Sequence, residues 1–457
     1  MRPSRPPSPR VLRGTGAILA VLGLVATVVV AGTLRRSVDG DVGAEATVVP
    51  PPLVFARTGD RVVSLDVARA EVAVSVPGAI GSTDGRLLFR VDESVGQGHR
   101  GGGGAAALVA LDARTGVERR RQPVAAGFVP RLASHDGGAV VLVSSDAASS
   151  SVGYPAPRAT TDLLVARAGG RPERHELTGN FEPEAFSLDG ARLFLVEYVP
   201  AEAPTGYQVR QLDLTTGRVG PVESVDIAPG TVMGGAARDH VMAGDGSRLY
   251  TLYSVPAGVP DGLHGTDPSQ GRAFLHVLDL DEGWAHCLLL PAPIGTDERS
   301  MASGPLAISP DGATLAVVDT DLDGGRSAVV EVDTETLTTG PVHEAVGPRW
   351  PGAAALDGAG NLYVAGAGGR DRPRVEVLDL HAGERRRGWS TATPVTAMSA
   401  QPGGTLVLAE PERGRVVVLR PGREGGRSVV LPAEGTMAVG PASVTLPEPR
   451  DVLECAC

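Results

Sequence analysis

From Leu53 onward, apolar and polar positions alternate in short runs, and turn residues separate the runs. One unit reads Ala307-Ile308-Ser309-Pro310-Asp311-Gly312, then Ala313-Thr314-Leu315-Ala316-Val317-Val318, and later Val330-Glu331-Val332-Asp333. Alternation with a period of two between tight turns predicts strands joined by hairpins. Asp-Gly suits such turns because Gly takes a positive φ without steric cost and Asp tolerates it.

The same unit recurs. Turn and following strand appear at Asp84-Gly85 with Arg86-Leu87-Leu88-Phe89, Asp136-Gly137 with Ala139-Val140-Val141-Leu142, and Asp189-Gly190 with Arg192-Leu193-Phe194-Leu195. They appear again at Asp245-Gly246, Asp311-Gly312, Asp357-Gly358 and, as Pro402-Gly403-Gly404, before Thr405-Leu406-Val407-Leu408. Second halves match too, as in Leu111-Asp112-Ala113-Arg114-Thr115-Gly116 and Leu212-Asp213-Leu214-Thr215-Thr216-Gly217. Successive turns lie 46 to 66 residues apart. That period fits a four-stranded antiparallel blade, and stacking blades in a closed ring buries both faces of each. The fold class expected is all-β, a β-propeller preceded by one N-terminal transmembrane helix. The first unit, Leu53-Val54-Phe55-Ala56 onward, lacks the strand before its turn, and Thr436-Met437-Ala438-Val439-Gly440 is a spare run. Pairing the two gives eight blades; seven, with the first unit as a packed extension, is the runner-up.

Ser309-Pro310-Asp311-Gly312 followed by Ala313-Thr314-Leu315-Ala316-Val317 resembles the repeat of TolB-like and YVTN-type bacterial β-propellers, as do the Leu-Asp-Leu-x-x-Gly halves. The resemblance spans Leu53 to Leu446. It implies architecture and, through the TolB-like rings, service in envelope complexes by protein contact; it implies no activity. Two units depart from it. One ends Leu163-Leu164-Val165-Ala166-Arg167 without the Asp, and the last replaces Asp-Gly by Pro-Gly-Gly.

Ahead of the repeats, Gly14 to Leu34 is 21 residues without a charge, about 31 Å as a helix and long enough to span a bilayer. Arg2, Arg5, Arg10 and Arg13 precede it, and Arg35 and Arg36 follow; the basic flank keeps the N-terminal side in the cytoplasm. The domain order expected is a cytoplasmic N-terminus (1–13), a signal anchor (14–34), a linker (35–52) ending in Pro50-Pro51-Pro52, the propeller (53–446) and a tail (447–457), with the propeller outside the cytoplasm. A cleaved signal peptide ending at Val29-Val30-Ala31 is the competing reading.

Charge narrows the partners. All 42 basic residues are Arg, and the first 36 positions hold six of them and no acid. The remainder carries 36 basic against 53 acidic residues, a net of −17. Phosphate recognition needs a basic face, so no nucleic-acid partner is expected.

If strands a to d are counted within each blade, the b–c hairpins lie on the face opposite the Asp-Gly turns. These hairpins are the long ones: Glu93 to Ala106, Ala147 to Thr161, Pro200 to Tyr207, Pro256 to Arg272 and Ala365 to Arg374. Insertions gathered on one face of a ring mark a binding surface, with Tyr154, Arg158, Tyr207, His264 and Arg272 as candidate recognition residues for an envelope protein or small envelope ligand. Solvated loops without a partner are the plain alternative.

Candidate chemistry is thin. Asp319, Asp321 and Asp323, with Gly324 at the sixth position, match the first half of an EF-hand calcium loop and resemble hairpin calcium loops of some integrin-type propellers. Ser327 stands at the ninth position, and Val330 at the twelfth with Glu331 one place late. A polar hairpin is the alternative. Calcium is the one cofactor in question; none other is expected. Cys455 and Cys457 form Cys-Ala-Cys, a strained ring if bridged to each other, or a link to another chain; Cys287 sits in an apolar strand. The sequence lacks a zinc-protease helix, a nucleophile elbow and a phosphate loop. A propeller enzyme, of lactonase or quinone-dependent dehydrogenase type, needs polar groups converging on the ring axis, and Asn180, Glu182, Glu184 and His240 are the candidates. A non-enzymatic binding or scaffold protein is the favoured reading.

Overall fold

The computed structural model describes residues 53–93, 106–145, 155–228, 230–255, 270–295, 304–321, 326–344, 348, 351–368, 371–420, 426–431 and 437–440. Residues 1–52, Tyr154, His264, Asp323, Trp350, Cys455 and Cys457 lie outside them. Among the described residues no helix is long and apolar enough to cross a membrane.

The described strands form eight antiparallel sheets, each of four strands apart from one short addition. Blade 1 is completed from the far end of the chain: Met437–Gly440 pairs with Leu53–Thr58 in the register Phe55↔Gly440 to Thr58↔Met437. The spare C-terminal run therefore closes the ring at eight. The inner strands of blades 2 to 8 start at Ile80, Phe128, Asn180, Ala236, Leu306, Pro351 and Ala397. Both departing units are complete blades, with Thr160–Arg167 paired on both sides and Gly403 and Gly404 both at positive φ.

Eight apolar clusters fill the eight seams between blades. Phe55, Leu88 and Val109 pack blade 1 on blade 2, and Val54, Leu65, Val407 and Val418 pack blade 8 on blade 1. Each blade is apolar on both faces, and only a closed ring covers every face. The seam between blades 4 and 5 is the aromatic one: Tyr207, Tyr253 and Phe274 stack with centroids 4.8 and 5.2 Å apart. Trp284 and Trp389 pack against the seams of blades 5/6 and 7/8.

The a–b turns depend on a serine two residues before the Asp. Ser309 Oγ donates to Asp311 Oδ1 (2.5 Å) and accepts from the Thr314 amide (3.0 Å), while Asp311 accepts from the Ala313 amide (3.2 Å). Ser82, Ser134 and Ser187 repeat this pattern. The set corrects one assignment. In blade 7 the positive-φ residue is Gly360, so Asp357 occupies the serine position. Its carboxylate does both jobs, accepting from the amides of Ala359 and Asn361 and from the Tyr363 hydroxyl, all at 2.9 Å. At the c–d turns an Asp caps the next amides, as Asp112 does for Arg114 and Thr115.

Candidate functional site

Three adjacent inner strands carry charge where the others do not. Three residues before the turn-opening position stand Arg131 in blade 3, Glu184 in blade 4 and His240 in blade 5. The same position holds Ala79, Leu306, Ala354 and Met398 in blades 2, 6, 7 and 8. Local backbone irregularity marks the same strands. Ladder register slips by one residue at Arg131, Glu184 and Arg238, as it does at Gly352 in blade 7. A bulge re-aims the side chain of the extra residue. In an inner strand it turns that chain away from the neighbouring blade toward the axis.

Around these positions lies a polar network. Arg158 Nη2 contacts Glu182 Oε1 at 2.7 Å and donates to the Phe181 carbonyl. Arg131 Nη2 stands 3.6 Å from Glu182 Oε2. Asn180, fully buried, donates to the carbonyls of Ala156 (3.1 Å) and Ala201 (3.3 Å) and so staples two b–c segments together. Asp239 accepts from the amides of Leu306 and His240, both at 2.8 Å, and thereby ties blade 5 to blade 6.

Burial sets the ionisation here. It raises the Glu184 carboxyl to about 7. It raises Asp239 to about 6 against the opposing pull of its two amides. Burial and, behind it, the charge of Arg131 lower His240 to about 4. Glu184 and His240 keep some accessible surface, toward the axis, yet Glu184 Oε2 and His240 Nε2 are buried and lack a protein hydrogen-bond partner among the described residues. At neutral pH the imidazole is neutral and the carboxyl half-ionised.

The site opens on the elaborated face. Arg238 and Arg158 stand at its b–c end, where Arg238 Nε meets Ser254 Oγ at the end of strand b. At the turn-face end a–b turns crowd together, and a Cβ on Gly246 would lie 2.4 Å from His135 Nδ1. Two depressions elsewhere, one beside the Glu197–Arg210 pair and one beside Arg90, Asp92 and Arg121, are lined by none of Arg131, Arg158, Glu184, Arg238 and His240.

Of the residues singled out from sequence, Arg158 and Glu182 meet. Tyr207, expected on an exposed loop, is 2% exposed and belongs to the aromatic seam. It starts strand c, where Met233 pairs with it across the blade. Arg272 is half-buried at the start of a strand, its amide donating to the Gly295 carbonyl at 3.1 Å. Tyr154 and His264 lie outside the described residues. Asp319 is buried in strand b and accepts from the Gly295 amide at 2.7 Å, toward blade 5. Ser327 faces the other way and donates to the Pro348 carbonyl at 3.1 Å, so these two members of the candidate calcium loop point to opposite neighbours. Asp321 ends the same strand, and Asp323 is outside the described residues. Cys287 is buried beside Met233 Sδ (3.8 Å), and burial pushes its thiol well up. Sequence reading passed over Arg131 and Arg238; superposing the repeats on the turn-opening position sets Arg131 in one column with Glu184 and His240.

No family model matches the chain, and no curated protein matches its sequence. Among solved structures, apo AztD from Citrobacter koseri is similar over 85% of this chain and 97% of its own, at 11% identity and a TM-score of 0.49. The dihydro-heme d1 dehydrogenase NirN is similar over 88% and 78%, at 15% and 0.48. TolB from Acinetobacter baumannii is similar over 75% and 80%, at 13% and 0.31.

Proposed function

We propose that this chain is a TolB-like binding protein of the cell envelope, anchored by residues 14–34, that engages an envelope protein through the elaborated face of its propeller. The observation that carries this reading is the use made of the polar residues at that face. Asn180 staples two loop segments and Glu182 holds Arg158 and Arg131. Two of the four candidate axial groups, Asn180 and Glu182, are thus spent on fixing loop positions, and a fixed loop surface suits recognition. The anchor rests on the uncharged run and its basic flank.

The test is crosslinking in native membranes. The expected result is a discrete envelope protein joined to the ring, and release of the ring from membranes when residues 1–34 are replaced by a cleavable signal peptide. A ring that washes off membranes untouched, or one that captures no partner, overturns the reading.

One observation favours a propeller enzyme of lactonase or dehydrogenase type as the second reading. A carboxyl that titrates near 7, as Glu184 does, is poised for general acid–base work. Turnover of an added substrate that disappears in Glu184→Gln would establish it.

A further inference from the structure

The polar sector holds three guanidinium groups, and one of them has no ion pair among the described residues. Arg131 and Arg158 share one carboxylate, that of Glu182. Arg238, half-buried, has for its guanidinium the neutral hydroxyl of Ser254 at 2.5 Å, and no carboxylate lies within ion-pair distance of it among the described residues. The adjacent Asp239 does not serve, because both its oxygens are turned to the amides of His240 and Leu306. Burial pulls the Arg238 pKa down, with no anion opposing the shift. A desolvated cation without a counter-ion is costly.

The same inner strands also carry unused acceptors. Asn180 Oδ1 and Glu184 Oε2 are buried without a partner among the described residues, and so is His240 Nε2. Asn180 is 0% exposed. A buried polar atom without a partner costs about 1–3 kcal/mol, and here three lie on two inner strands, one of them the strand that carries Arg238. In blades 6 to 8 the positions equivalent to Glu184 and His240 are Leu306, Ala354 and Met398, each buried in a seam between blades.

We propose that this sector binds a small carboxylate that also bears a hydrogen-bond donor, a hydroxy acid or an amino acid. Its carboxylate sits against Arg238, and its hydroxyl or ammonium group pairs with the unused acceptors of the same two strands. The inference rests on reading the ring as a binding device and adds a ligand to the protein partner proposed above. Arg238 supplies the planar fork that matches a carboxylate.

The test uses the full-length chain in detergent micelles. Acetate is the minimal probe, acetamide its uncharged isostere, and lactate and glutamate separate the hydroxy-acid and amino-acid arms. Saturation-transfer NMR and calorimetry are expected to show acetate bound, acetamide not bound, and either lactate or glutamate bound at least tenfold more tightly than acetate. Arg238→Gln is expected to lower acetate affinity at least tenfold, whereas Arg86→Gln, on the exposed turn face, leaves it unchanged. Acetate should also raise the melting temperature of the native chain where acetamide does not, a readout that needs no variant. Equal binding of acetamide, unchanged acetate affinity in Arg238→Gln, or no carboxylate bound overturns the proposal. Conversion of lactate or glutamate in the same spectra overturns the non-enzymatic reading and leaves the anion site standing. Capture of a protein partner with no carboxylate bound does the reverse.

Discussion

At the scale of single residues, the serine that opens four of the a–b turns and the two titrating groups on the inner strands carry the sharpest consequences. Ser309 makes two hydrogen bonds that hold its turn, one to a carboxylate and one from a backbone amide. With net values of about 0.5–1.5 kcal/mol per bond, Ser309→Ala is expected to cost about 1–2 kcal/mol. Urea unfolding would show this as a lower midpoint with an unchanged slope. The axis groups move stability with pH in opposite directions. Glu184 titrates near 7 in the fold, above its ordinary 4.5, so the native state holds a proton that the unfolded chain has lost, and stability falls as pH rises from 4.5 to 7. His240 titrates near 4, below its ordinary 6.5, so its contribution is complete above 6.5 and is lost as pH falls toward 4. Glu184→Gln is therefore expected to gain stability relative to the native chain at pH 8 and little at pH 4.5. His240→Gln should gain relative to the native chain at pH 4 and not at pH 8. Unfolding midpoints at these values check both, and a flat difference for either variant removes that group from the buried sector.

At the scale of elements, the closing strand is the piece on which the ring depends. Met437–Gly440 supplies four residues of pairing to Leu53–Thr58. The seam beside it is fastened by Arg420, which donates to the carbonyls of Val67 and Ala68, and by Arg427, which donates to that of Arg69. Ending the chain at Leu431 would expose the inner edge of Leu53–Thr58, and an unpaired apolar edge recruits other chains. The expected outcome is soluble aggregate on size exclusion and a melting transition broadened and lowered, while Arg420→Ala lowers it without aggregation. This closure was legible in the sequence because a missing first strand and a spare last strand are one observation seen twice. The blade period was legible for a similar reason: Asp-Gly and Leu-Asp-Leu mark turns whose backbone geometry admits few residue types. Bulges at Arg131, Glu184 and Arg238 were not legible, since one extra residue in a short strand leaves the apolar alternation nearly intact. Nor was the burial of Tyr207, which follows from Met233 returning over it after a long excursion between blades 4 and 5.

At the scale of the whole molecule, the two faces of the ring have different work to do. Leu53 begins strand b at the turn face, its carbonyl 3.7 Å from where a Cβ on Gly85 would stand. Gly440, paired with Phe55, ends on the same face. The first and last described residues, Leu53 and Gly440, therefore both lie at the turn face. That face is also the uniform one, where most blades repeat a serine–aspartate or capped-aspartate turn. The other face is where strands b and c meet and where Arg158 and Arg238 stand. A partner that distinguishes this ring from any other ring must contact the side where its blades differ. Photocrosslinking side chains placed at Glu202, exposed on the elaborated face, are expected to capture the envelope partner. The same group at Thr216 or Glu335, exposed on the turn face, is expected to capture nothing beyond background. Capture from Thr216 and Glu335 with none from Glu202 would assign recognition to the uniform face and leave the long hairpins as solvated loops.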